Sequence, residues 1–350
     1  MKGLVFTGRN DGRVVVVYDP TTAVPMAWKR VARNKKLVSV SWTPVDRSKL
    51  LAPLERPDVS AREGRPVQQS ALGRSALGDF EAGKWDPLTL LKRVEILPKD
   101  QRVVKGDLDL TDTPVTSLPM GLKVEGNLEL AGTPITSLPV DLKVDGDLDL
   151  HKTSVSSLSA GLRVGGSLIL SDTSVASLPA DLQVGDGLYL TGTPITSLPA
   201  GLKVGGDLNL TVTPITALPA DLKVGGNLFL YDTPIASISA GLQVGGDLNL
   251  TAAPVTVLPA GLKVGGDLNL TRAPVASLPA DLQVGGDLFL YKTSVDSLPA
   301  DLQVGGDLHL KDTPITSLPA DLKVGGVIYG LDPKYWADVP ERLKGKLSGY

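Results

Sequence analysis

Cysteine is absent from all 350 residues. That excludes disulfides, thiolate zinc sites and every cysteine nucleophile. Histidine is nearly absent: the chain has only two, His151 and His309. They stand too far apart in the sequence to share a site, so no histidine pair is expected to serve acid–base or metal chemistry. No stretch approaches ~18 continuous apolar residues, and no transmembrane helix or membrane partner is expected. The start, Met1 to Gly8, lacks the long apolar core of a signal peptide. A cytoplasmic or virion location is the expectation that follows. No glycine-rich phosphate loop leads into a helix, because the Gly-Gly pairs are followed by more strand-like sequence. The reading is therefore non-enzymatic: no catalytic residue, no cofactor and no metal ligand are assigned.

Charge is unevenly divided along the chain. Residues 1–100 carry 18 Lys+Arg against 11 Asp+Glu, and residues 101–330 carry 13 against 24. Such asymmetry bears on partners rather than on fold. The basic head is suited to an acidic protein surface, to the acidic array of a neighbouring copy, or to nucleic acid. Nucleic acid is not expected on the acidic array itself.

What is present in abundance is repetition. A block of twenty residues recurs from about Arg102 to Gly326, and such a period means a solenoid. One copy runs Gly201-Leu-Lys-Val-Gly-Gly-Asp-Leu-Asn-Leu-Thr-Val-Thr-Pro-Ile-Thr-Ala-Leu-Pro-Ala220. With Gly201 as position one, position four is valine from Val104 to Val324. Position eight is leucine until Ile328, and position ten is leucine from Leu110 to Leu310. Positions fifteen and eighteen are also aliphatic, and position two is leucine from Leu122 to Leu322. These six columns form the inside of the coil. Leu-x-Val at two and four, and Leu-x-Leu at eight and ten, alternate as strands do. The Gly-Gly pair at five and six is expected to turn a corner at positive φ. Thr-x-Thr-Pro and Leu-Pro should make the other corners. The threonines of position thirteen should satisfy backbone groups at a bend. No helix of ~10 residues fits between these breaks.

The pattern Leu-x-Leu-x-x-Thr-x-Ile-x-x-Leu-Pro-x-x-Leu resembles leucine-rich repeats. It is most similar to the short, helix-free Leu-Pro repeats and Val-Gly-Gly-x-Leu-x-Leu arrays of bacterial and bacteriophage proteins, and the likeness covers residues 97–330. It departs from the family in having threonine where the asparagine column stands, and glycine (Gly205 and its equivalents) where a leucine is expected. Some relatives carry a cysteine-dependent ubiquitin ligase domain, an activity that a chain without cysteine cannot share.

The expected architecture is mainly β: a parallel β-solenoid of leucine-rich-repeat type, with about eleven to twelve 20-residue coils over 101–330. Residues 85–100 and 331–350 should cap its ends. The N-terminal cap is a short helix with Asp86 as N-cap and Pro87 in the first turn; the C-terminal one opens at Asp332-Pro333, with Tyr335 and Trp336 over the last core layer. Residues 1–52 read as a small basic β-rich domain. It would hold a hairpin of Leu4–Thr7 and Val14–Tyr18, a helical turn or two over Ala27–Arg33, and a strand over Leu37–Trp42. Residues 53–84 read as an extended arm.

Two outward groups are candidate sites. Asp107, Asp109, Glu129, Asp147 and Asp149 form an acidic patch that would attract a cation or a basic segment; a flat sheet face offers too few converging oxygens for calcium. Farther on, Tyr189, Phe229, Tyr231, Phe289, Tyr291 and His309 occupy positions nine and eleven, as candidates for binding a protein partner. The Asn-Leu-Thr sequons at 209, 249 and 269 read as fortuitous. The resulting expectation is a structural or protein-binding component of a bacteriophage virion or similar assembly, binding copies of itself or a capsid or tail protein. An effector that blocks a host protein through the same face is the alternative.

Overall fold

The structure is a computed structural model that describes three strands at residues 4–9, 12–18 and 25–31, and residues 86–348 apart from 221. The chain divides into two units, Met1–Gln69 and Ser70–Tyr350.

In the first unit, β1 (Leu4–Arg9) pairs antiparallel with β2 (Gly12–Tyr18), Arg9 standing opposite Gly12. The expected hairpin is there, longer than the sequence suggested. β2 pairs on its other edge with β3 (Pro25–Val31). The expectation of helical turns over Ala27–Arg33 is thus corrected through Val31. A run of valines in β2 offers a second edge of unpaired backbone groups, and satisfying these outweighs the weak helix preference of Ala-Trp-Lys-Arg. The strand expected at Leu37–Trp42 and the arm of residues 53–84 lie outside the described residues.

The second unit is a parallel β-solenoid of twelve coils. Each coil contributes two strands of two residues. Positions three and four build one twelve-stranded ladder, from Val103–Val104 to Lys323–Val324. Positions eight and nine build the other, from Leu108–Asp109 to Ile328–Tyr329, with Leu347–Ser348 added as a thirteenth strand. Both ladders pair equivalent positions of successive coils in parallel, as Leu228↔Leu248 shows. The Leu228 N–H donates to the Asp247 carbonyl at 2.8 Å, and the Leu230 N–H to that of Asn249 at 2.9 Å. Positions thirteen to nineteen form a third, extended side, bridged in strand fashion only at Ser237↔Val257 among the described residues. Prolines at fourteen and nineteen remove the donors that a third ladder would need.

All six aliphatic columns point inward. Leu208, Leu210 and Ile215 have no exposed surface, and the same columns are buried along the array. Each such side chain contributes about 1.5–3 kcal/mol, realised only because neighbouring coils stack. The threonines of position thirteen lie among them, buried except at the end coils (Thr113 and Thr313), and each hydroxyl donates to the position-ten carbonyl of its own coil. Thr193 Oγ1 reaches the Leu190 oxygen at 2.7 Å.

The corners are not where the glycines suggested. Gly205 and Gly206, like most glycines of positions five and six, do not take positive φ; Gly106 does, at 81°. They are required for proximity instead. A Cβ on Gly225 would stand 2.0 Å from the Gly205 carbonyl oxygen of the preceding coil, and one on Gly226 would stand 2.3 Å from Asp207 Oδ1. The left-handed residues sit at position twelve, in the turn after the Leu-x-Leu strand, and in several coils at position one. Glycine or aspartate often fills them, but Val212 holds φ 58° and Arg272 φ 63°.

Both ends are closed. Helix α1 (Pro87–Glu95) opens with Asp86, whose Oδ2 accepts from the Thr89 N–H at 3.0 Å, and it buries Leu90, Leu91 and Val94 on the first coil. At the other end a 3₁₀ turn (Pro333–Asp338) follows Asp332, and α2 (Glu341–Lys344) buries Leu343. Tyr335 and Trp336 pack on the core, and Trp336 Nε1 donates to the Leu331 carbonyl at 3.0 Å. The guanidinium of Arg342 donates to the carbonyls of Ala320 and Leu322, satisfying acceptors at the corner of the last coil.

Candidate functional site

The outward residues of the second ladder occupy positions seven, nine and eleven, and their roles differ. Position seven forms a continuous internal ladder. Asp107 Oδ1 accepts from the Asn127 N–H at 2.8 Å, Asn127 Oδ1 from Asp147 at 2.9 Å, and Asp147 Oδ1 from Ser167 at 2.7 Å. Farther along, Asp247, Asp267, Asp287 and Asp307 repeat the contact at 2.7–2.8 Å. Each carboxylate thus caps the next coil's backbone, a charge-assisted bond stronger than a neutral one. One rung is missing: Asp207 Oδ1 accepts from the Asn227 N–H at 2.7 Å, but the Asp207 N–H has no position-seven acceptor below it, because the local order is Gly185-Asp186-Gly187 and the displaced Asp186 carboxylate lies over Gly206 instead.

Position nine caps the turn of its own coil. Asp109 Oδ1 accepts from the Thr111 N–H at 2.9 Å and Asp149 Oδ1 from His151 at 2.7 Å; Asn209, Asn249 and Asn269 do the same for Thr211, Thr251 and Thr271. The Asn-Leu-Thr triplets therefore have a structural cause. Four of the five members of the acidic patch (Asp107, Asp109, Asp147 and Asp149) also hold backbone donors of the coil. Glu129 is the exception. It pairs in register with Asp109 on one side and Asp149 on the other. Partial burial, then the neighbouring carboxylates, push its pKa above the usual carboxylate value.

The aromatic candidates separate into three places. Tyr189 leans over Gly187 and has no ring neighbour among the described residues; its phenol pKa is raised by partial burial and by Asp207, Asp186 and Asp147. Phe229 lies between Asn209 and Asn249 in the ladder, beside Tyr231, which is 45% exposed. Only Phe289, Tyr291 and His309 come together, and they recruit Tyr329. The His309 imidazole stacks on Phe289 (centroids 4.4 Å, planes 8° apart) and on Tyr329 (5.0 Å, 9°). The Tyr291 hydroxyl is 2.7 Å from His309 Nδ1, and burial raises its pKa. All four rings are partly exposed. The sequence signal was available: Tyr329 continues the position-nine column of Phe289 and His309.

His309 also brings an imidazole nitrogen within 4.8 Å of one carboxylate oxygen each of Asp287 and Asp307. Among the described residues this trio is the group best arranged to hold a metal ion, although both aspartates already spend Oδ1 on the ladder. The other histidine, His151, is a separate matter: its Nδ1 lies 3.1 Å from the Ser171 carbonyl. The lysines of position three, on the opposite ladder, escaped the sequence reading; their twenty-residue recurrence is the signal that could have found them.

No family model matches this chain, and no curated protein matches it.

Proposed function

We propose that this protein is a non-enzymatic, protein-binding scaffold, a component of a bacteriophage virion or another multi-copy assembly. The observation that carries the reading is the partly exposed stack Phe289–His309–Tyr329 with Tyr291 beside it. Aromatic groups held rigid by a β-ladder lose little side-chain freedom on binding and bury much apolar area, the character of an interface anchor. Phe229 and the exposed Tyr231 lie on the same ladder toward its middle and extend the contact. The repetitive architecture and the basic N-terminal region support a role in assembly.

The test is affinity capture from the native source with wild-type protein and with a Phe289→Ser/Tyr329→Ser variant, each checked by thermal melting. A single enriched partner that the variant loses while its melting point falls only slightly supports the reading. A partner retained by the variant, or no enriched protein at all, removes it.

A further inference from the structure

We infer that the outer face of the first ladder is a binding trough for an extended acidic polypeptide segment. Positions three and four alternate outward and inward, so the buried valines leave a column of position-three side chains on the surface. Along the C-terminal half an open trough of about 1240 Å³ follows this column. Its rim is Lys203, Lys223, Lys263 and Lys323, with glutamines in the coils between, and Arg342 and Lys346 close its end. Its floor is valine and the bare position-five glycines. Among the described residues no carboxylate lines it, although the array of residues 101–330 carries eleven more acidic than basic residues.

The four lysines make no ion pair among the described residues. Nearer the N-terminus one lysine of the same column is paired. Lys123 pairs with Asp145 at 2.8 Å and with Glu125 at 3.3 Å, two acids standing where later coils have glycine. The trough, lined from Lys203 onward, lies beyond the last position-five acid, Asp145. Cations left unpaired over a smooth floor fit a slender anionic chain whose backbone can lie close. Glutamine amides between them donate to the same carboxylates. No aromatic ring lines the trough, so it lacks the stacking platforms that single-stranded nucleic acid uses. From Lys203 to Lys323 is six coil steps, roughly 29 Å at about 4.8 Å per step, or about nine residues of extended chain.

The surface is separate from the aromatic ladder, and its test is independent of that proposal. Fluorescein-labelled oligoglutamates of four, eight and twelve residues are titrated with the full chain at 50 mM salt and followed by anisotropy. The expected result is saturable binding that tightens up to about nine residues and weakens at least ~10-fold at 300 mM salt. Lys203→Glu/Lys223→Glu should abolish it, with circular dichroism unchanged. Lys152→Glu/Lys292→Glu, the same charge change placed in the position-twelve turns, should leave it within ~2-fold, because screening blunts distant charges. Absence of saturable binding, or equal loss in both variants, overturns the trough. Tighter binding of oligothymidylate or linear polyphosphate at matched charge overturns the peptide and assigns the trough to phosphate.

Discussion

Val212 holds a left-handed backbone, φ 58°, that branched side chains avoid. Val212→Gly removes the Cβ clash and should raise stability by about 1 kcal/mol in urea unfolding. The reverse holds at Gly225, whose Cβ would meet the Gly205 oxygen at 2.0 Å. Gly225→Ala should cost about 1–3 kcal/mol by the same measurement, since the stacked backbones must part to admit it. The glycines were legible as special from their spacing, but the reason was not. A Gly-Gly pair reads as a corner in one dimension, and only stacking shows that the neighbouring coil's carbonyl occupies the place of a side chain. Glu129 is a residue whose environment opposes its charge. An acid with a raised folded pKa binds its proton more tightly when folded. Its ionisation therefore costs stability above that pKa, and the cost disappears as pH falls through it. Glu129→Gln should raise the melting temperature at pH 7, and the gain should shrink as pH is lowered to about 4. A gain unchanged across that range would contradict the assignment.

Among the elements, the position-seven ladder is informative where it breaks. Exchanging the pair, Asp186→Gly with Gly187→Asp, places a carboxylate below Asp207 and should complete the missing rung. The expected gain is about 1–2 kcal/mol, as for a charge-assisted bond. The new side chain also takes the space Tyr189 now covers, since a Cβ at Gly187 would lie 2.6 Å from its ring. Denaturant titration and the Tyr189 ring resonances report the two effects separately; an unchanged ring environment would show that the carboxylate had not entered the ladder. The inward columns were readable because burial leaves a pattern of residue type at fixed spacing. The outward aspartates carried an equally clear pattern whose meaning was hidden. The position-seven acceptors serve N–H groups twenty residues away, a partnership that spacing along one dimension does not show.

At the scale of the whole chain, the caps decide whether the array is soluble. Truncation after Gly330 removes Leu347–Ser348, which covers the edge of the second ladder, together with the aromatic turn over the last core layer. The truncated protein should aggregate with rising concentration in light scattering, whereas the full chain stays dispersed. Excision of residues 241–260 should behave differently, because each rung and each buried column finds the same partner one coil later; a cooperative melt close to that of the parent is expected. The close glycine track makes the unit indivisible. A gain or loss of one or two residues within a coil would put that coil out of step with both of its neighbours, while tandem duplication of a full block disturbs none. Length is thus a freely adjustable dimension: each duplication adds about one strand spacing to the stack, and a lineage can extend it in steps without redesigning any part of it.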